Sequence, residues 1–208
     1  MILIGQYDSP FVRRVGIALT LYRLPFEHRP WSTFGDAEKI RPYNPLTRVP
    51  TLVLADGEVL IESHSILDYL DSLVPAADRL FPATEPMRHQ ALKVAALATG
   101  ISEKAVSLFY KRALHKETSE VWIRRCGVQI NGALAELETN REKRAGDYWF
   151  GNTIGHADIA VACALRFIPE AHPGLIAMAA FPALRADAAR LEALPAFQTI
   201  AQRFIPPA

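Results

Sequence analysis

The feature that most constrains this chain is where its strand-like sequence stops. Runs rich in β-forming residues are confined to the first third of the 208 residues, and beyond residue 86 every apolar pattern has helical spacing. In the first part, Ile2-Leu3-Ile4 is a short strand-type run. Pro10 to Leu24 then places Val12, Val15, Leu19 and Tyr22 on one helical face. An extended segment at Phe26-Glu27-His28-Arg29 is bounded by Pro25 and Pro30. Thr51 to Leu54 and Val59 to Ile61 flank Asp56-Gly57, a hairpin signal. Ser63 or Ser65 can cap a further helix with Ile66, Leu70 and Leu73 on one face. The order βαβ, irregular stretch, hairpin, helix predicts a parallel strand pair with a right-handed crossover and an antiparallel edge.

From Pro75 to Pro86 the sequence turns to Pro, Asp and Ala and reads as a linker, which divides the chain into domains at 1–80 and 87–208 with 81–86 between them. The second part is expected to be all-helical. Its helices are expected at Met87 to Leu114, around Ile123 to Leu137, at His156 to Phe167, at Ala183 to Leu194 and at Pro195 to Phe204. The segment from His156 to Phe167 is apolar nearly all round and so expected to be buried. Lys and Arg number 23 against 22 Asp and Glu, without basic blocks, which argues against nucleic-acid binding. No apolar run approaches the roughly 20 residues a membrane-spanning helix needs, and the N-terminus lacks the pattern of a signal peptide. The two cysteines, Cys126 and Cys163, form no CxxC or Cys/His cluster, so neither a disulfide scaffold nor a metal site is expected. A reducing cytoplasm is the expected location.

Ser9-Pro10 stands where the first strand hands over to the first helix. An N-cap serine followed by proline at the first helical position explains the pair fully. The same hydroxyl also faces the positive end of a helix dipole, where an anion such as a thiolate is stabilised. No adjacent base would make Ser9 a nucleophile, so its role would be to donate a hydrogen bond to a thiolate carried by a ligand. Val49-Pro50 precedes the third strand, and proline at a strand start is tolerated. A cis bond at Pro50 would turn the Val49 N–H and C=O outward for pairing with an extended peptide. Glu62-Ser63 lies at the next strand-to-helix junction, where capping is one explanation and recognition of a ligand with both ammonium and carboxylate groups is another.

These three positions fall in order on one α/β frame, and SPFVRRV, NPLTRVPTL and IESHSILDYL resemble the N-terminal domain of cytosolic glutathione transferases, in their serine-type, tau-like or bacterial classes. The helical second half resembles that family's C-terminal domain, so the resemblance covers essentially the whole chain. It implies a thioredoxin-like N-terminal domain, an all-α C-terminal domain, and glutathione as co-substrate with no metal. It also implies transfer of the glutathione thiolate to a small hydrophobic electrophile, whose pocket the C-terminal helices shape. Ser9 would hydrogen-bond the thiolate, Val49 before cis-Pro50 would pair with the cysteinyl backbone, and Glu62 and Ser63 would hold the γ-glutamyl group. Arg48 and Phe11 would line the glycyl end or the sulfur. A homodimer is implied as well.

Two departures stand out: Thr47 occupies a place where the family commonly has glycine, and in GHADIAVACAL the expected Ser or Thr of a capping box is Gly155, with Asp158 closing the helix start. Tyr7 competes with Ser9, because other classes use a tyrosine near the end of the first strand. The alternative function is a glutathione- or hydrophobic-ligand-binding protein on the same fold without turnover. Chemistry by a protein cysteine is disfavoured because position 9 is Ser, and a zeta-type isomerase because its SSCSWR-type stretch is absent. His64, Trp31, Phe34, Phe109 and the Lys111-Arg112 pair read as surface or packing residues.

Overall fold

The computed structural model describes residues 1–206. The described residues divide into two compact units, Met1–Leu80 together with residues 194–206, and Phe81–Ala193. The first unit holds β1 (Ile2–Ile4), α1 (Pro10–Leu21), β2 (Glu27–Arg29), the short α2 (Ala37–Ile40), β3 (Thr51–Val53), β4 (Val59–Ile61) and α3 (Ser63–Ser72). Its sheet runs β2-β1-β3-β4. β1 and β2 are parallel, whereas β1–β3 and β3–β4 are antiparallel, with Ile4 opposite Thr51 and Thr51 opposite Ile61. This is the βαβ–ββα arrangement expected from the strand and turn signals. The four-residue α2 lies in the stretch expected to be irregular, because a single turn leaves no periodic signature.

α1 is buried on more than the one face its spacing suggested. Val12, Val15 and Leu19 are fully buried, and so are Ile17, Ala18 and both Arg13 and Arg14. The Tyr22 hydroxyl donates to Asp71 of α3 and accepts the Leu80 N–H at 2.8 Å, tying α1, α3 and the end of the linker together. The reason for the extra burial of α1 lies at the far end of the chain. The expected final helix over residues 195–204 is only the five-residue α8 (Pro195–Thr199). Arg13 donates from Nε to the Ile200 carbonyl at 2.8 Å and from Nη2 to the Phe197 carbonyl at 3.0 Å. The carbonyl of Phe197, which a continuing helix would bond internally, is thus taken by a guanidinium. The tail therefore groups with the first unit and not with the helical region expected to run to residue 208.

The second unit contains α4 (Met87–Leu114), α5 (Glu120–Glu142), α6 (His156–Ala171) and α7 (Pro182–Glu192). α6 is buried from His156 to Leu165 without a break. Its start is closed by Asp158, which accepts the Gly155 N–H at 2.9 Å and the Trp149 N–H at 3.0 Å. The N-terminus of α7 is satisfied from α5, since Glu138 accepts the Ala183 and Leu184 N–H groups at 2.7 and 2.9 Å. Arg141, one turn on, pairs with Asp187 of α7 and also donates to the Gly146 carbonyl at 2.8 Å. His172 is buried between Ala105, whose carbonyl it meets through Nε2 at 2.8 Å, and Arg112, at 2.9 Å from Nδ1. Since Arg112 can only donate, Nδ1 accepts and the proton sits on Nε2. Desolvation holds the His172 pKa below its ordinary value. Both cysteines are buried, and burial pushes the Cys126 thiol up. Among the described residues no helix is long and apolar enough to cross a membrane.

Burial lifts the Asp158 carboxyl from 3.8 to about 6 despite its backbone donors. A folded-state pKa above the unfolded one means that the folded protein binds this proton more tightly, so Asp158 contributes most below its ordinary pKa, and that contribution is lost as pH rises through about 6. The side chain is expected to titrate near 6 in a carboxyl-resolved NMR experiment, and Asp158→Ala is expected to flatten the fall in folding stability between pH 4 and 6.

Candidate functional site

Three loops meet at one end of the first unit's sheet, and a glycine lets them meet. Gly5 follows β1 with φ +128, and a Cβ there would lie 2.5 Å from Val12 Cγ2 and 2.8 Å from the Val49 Cβ. The β1–α1 loop and the segment before β3 are therefore in van der Waals contact. Gly5 carried no functional reading in the sequence. The available signal was a lone glycine directly after a strand, which marks close backbone approach.

From Gly5 the chain makes a turn in which the Ser9 N–H donates to the Gln6 carbonyl at 3.2 Å. Ser9 is the N-cap of α1, with extended backbone (φ −69, ψ 123) and Pro10 next. Its Oγ accepts the Val12 N–H at 3.4 Å, longer than a well-formed bond. A capping hydroxyl uses a lone pair, and its own proton remains available to a second partner. The two readings of Ser9 are thus compatible. Phe11 stands half-buried on the first turn of α1.

Tyr7 is placed differently. Its ring stacks on His28 at 3.8 Å and 8° and lies 3.0 Å from where a Gly16 Cβ would be. Gly16 is seven residues along the helix from Ser9, about 10 Å of axis. Burial pushes the Tyr7 phenol up to about 12. That is a packed, neutral side chain turned along α1 and away from its N-terminus.

On the neighbouring loop, the Val49–Pro50 peptide bond is cis. Val49 lies just beyond the paired register of β1 and β3, which ends at Ile4 and Thr51. Asn44, 1% exposed, organises this loop. Its amide donates to the Arg48 carbonyl at 2.9 Å and to Thr51 Oγ1 at 3.1 Å, and its Oδ1 accepts the Leu46 N–H at 3.0 Å. Asn44 was not singled out in the sequence, because an asparagine before proline reads only as a turn residue.

At the third loop, β4 ends at Ile61 and α3 begins at Ser63, leaving Glu62 with φ 66 and ψ 124. This is a left-handed backbone for a non-glycine residue, a strain of the kind that collects at functional sites. Capping does not explain the pair: Glu62 makes no side-chain cap bond, and Ser63 is already inside the helix. Ser63 is buried, and Arg14 of α1 donates to its Oγ at 3.4 Å. Arg48 and Glu62 form an ion pair at 3.0 Å with both side chains about half exposed, so the cis-proline loop and the start of α3 face each other. His64, the next residue of α3, is exposed. Among the described residues no cluster of three or more His, Cys, Asp or Glu could hold a metal ion.

The arrangement is a half-buried hydroxyl at a helix N-terminus, a backbone segment just beyond the β1–β3 register, and a carboxylate–hydroxyl pair, all at one end of a small mixed sheet. Residues 3–78 match the glutathione S-transferase N-terminal domain and residues 120–186 the glutathione S-transferase C-terminal domain. A probable maleylacetoacetate isomerase of Vibrio cholerae is 31% identical, over 95% of this chain and 93% of the relative. The chain belongs to the glutathione S-transferase family. A tau-class (U6) glutathione S-transferase of Arabidopsis thaliana is 28% identical over 81% of this chain and 71% of its own length. Among solved structures, a glutathione S-transferase of Methylobacterium radiotolerans in complex with glutathione sulfonate superposes with a TM-score of 0.89 at 30% identity, covering 100% of this chain and 98% of that one.

Within the transferase frame the departure at Thr47 has a physical consequence. Thr47 has φ +53, so a β-branched residue occupies the left-handed region just where the family commonly has glycine. Thr47→Gly is expected to relieve that strain and raise stability by about 1 kcal/mol, read from the midpoint of urea unfolding. Asn44→Ala is expected to lower it by about 2–3 kcal/mol in the same measurement, since it leaves buried backbone groups unpaired.

Proposed function

We propose that this protein transfers the thiolate of glutathione to a small hydrophobic electrophile, with the Ser9 hydroxyl holding the thiolate. The observation that carries the reading is the position of Ser9: its oxygen caps α1, and its proton is left to donate at the positive end of a twelve-residue helix. A charge-assisted hydrogen bond is worth about 1.5–3 kcal/mol, which lowers a thiol pKa of about 8.5 by one to two units. The thiol proton leaves to solvent, the sulfur lone pair forms the new C–S bond, and the electrophile releases its leaving group or accepts a proton on the adjacent atom. Ser9 keeps its own proton throughout.

The remaining groups suit the rest of the tripeptide. The N–H and C=O of Val49, just beyond the β1–β3 register, would pair with the cysteinyl backbone of an extended peptide. The Glu62 carboxylate would take the γ-glutamyl ammonium, and the Ser63 hydroxyl its carboxylate. Arg48 would exchange part of its exposed pairing with Glu62 for the glycyl carboxylate, at small cost because exposed ion pairs contribute little. Phe11, on the first turn of α1, would flank the sulfur. The glutathione sulfonate complex of the Methylobacterium relative supports glutathione as the co-substrate. A homodimer in the cytoplasm completes the proposal.

A second reading has one observation in its favour, the likeness to the Vibrio isomerase over nearly the whole chain. In it the same thiolate adds reversibly to a cis-alkene, permits rotation and leaves again. This chain lacks the SSCSWR-type stretch, so the transfer reading stands first. Maleylacetoacetate turnover exceeding that of any alkylating or arylating electrophile would reverse the order.

Ser9→Ala is expected to keep glutathione affinity within a few-fold by calorimetry while lowering the conjugation rate at least tenfold. Tyr7→Phe is expected to leave the rate within about twofold. Full rate in Ser9→Ala would remove Ser9 as the thiolate partner.

A further inference from the structure

The turn that presents Ser9 is braced by the other end of the chain. Ser9 follows a turn closed by its N–H on the Gln6 carbonyl, with Tyr7 and Asp8 as the central residues. Both are met by the C-terminal tail. The Tyr7 N–H donates to Gln202 Oε1 at 3.2 Å, across 195 residues of sequence, and the Ile205 N–H approaches Asp8 Oδ2 at 3.5 Å. The tail is itself fixed to α1 by Arg13, through the carbonyls of Phe197 and Ile200, and by the contact that Gly16 permits: a Cβ there would lie 2.8 Å from Ile200 Cγ2.

We infer that Gln202 is a positioning residue for thiolate stabilisation, acting on Ser9 through the backbone of the Gln6–Ser9 turn. The inference rests on the proposed role of Ser9 and extends it. The turn is closed by the Ser9 N–H on the Gln6 carbonyl at 3.2 Å, and the cap bond to Val12 is long at 3.4 Å. A second partner on the same turn keeps the hydroxyl aimed, because a hydrogen bond weakens steeply with angle. Gln202 supplies one at the first central residue. It is half-buried on an irregular tail, so its substitution leaves the core intact.

The test is a double-mutant cycle of Gln202→Met, which keeps the side-chain volume and removes the acceptor, with Ser9→Ala. The assay uses glutathione and an activated aryl halide, and thiolate formation is followed by absorbance against pH. Gln202→Met is expected to lower kcat/KM about fivefold, to raise the apparent pKa of the bound thiol by about 0.7 unit, and to leave the KM for glutathione within twofold. In the Ser9→Ala background it is expected to add no further loss. An unmoved pH profile in Gln202→Met, or an equal loss in both backgrounds, would overturn the role of Gln202 while leaving that of Ser9 standing. Full activity of Ser9→Ala alone would instead remove the role of Ser9, and this inference with it.

Discussion

The absence of a side chain at Gly5 is the condition on which the rest of the site depends. A methyl group there would overlap Val12 on α1 and Val49 before β3 at separations no real Cβ tolerates. The close approach seats the first helix directly over the end of β1. It also brings the loop that ends in Ser9 alongside the loop that ends in Pro50. His28 adds a second tie, its Nε2 lying 2.8 Å from the Gly5 carbonyl. Any residue with a Cβ would push the β1–α1 loop and the segment before β3 apart.

Each loop of the candidate site is stiffened by a side chain that bonds to it, from within the loop or from another part of the chain. Asn44 pins the Arg48 carbonyl from beneath the cis-proline loop. Arg14 reaches from α1 to Ser63. The tail beyond α8 reaches back to Tyr7, held by the buried guanidinium of Arg13. Two of the three described non-glycine residues with positive φ, Glu62 and Thr47, lie in the loops of the candidate site, and the third, Arg23, follows α1. The second unit follows a different logic. There, charged side chains serve the helices themselves, with Glu138 satisfying the start of α7, Asp158 the start of α6 and Arg141 pairing across to Asp187.

Much of this was legible in the residues. The strand-helix-strand order, the Asp56-Gly57 hairpin and the long helix from Met87 to Leu114 follow from local periodicity and turn chemistry, which the folded protein does not override. The glutathione S-transferase family could be named from three short motifs because their residues occupy fixed junctions of the sheet. The illegible part has a common cause. Asn44, Arg14, Gln202 and Gly5 matter through contacts with residues four to 195 positions away. An asparagine in a turn or a glutamine in a tail shows nothing of its distant partner.

The sequence by itself therefore determined the elements, their order, the family, and which junctions carry hydroxyls and carboxylates, since these depend on nearest-neighbour spacing and on residue chemistry. Tertiary structure alone decided how those groups are used. It turned Tyr7 into a stacked packing residue on His28 and made the Ser9 oxygen the cap of α1. It paired Arg48 with Glu62, stripped the capping explanation from Ser63, and gave residues 194–206 to the first unit and not to the helical one. Those outcomes turn on the direction and burial of single side chains, and direction is set by what packs against them from remote parts of the chain.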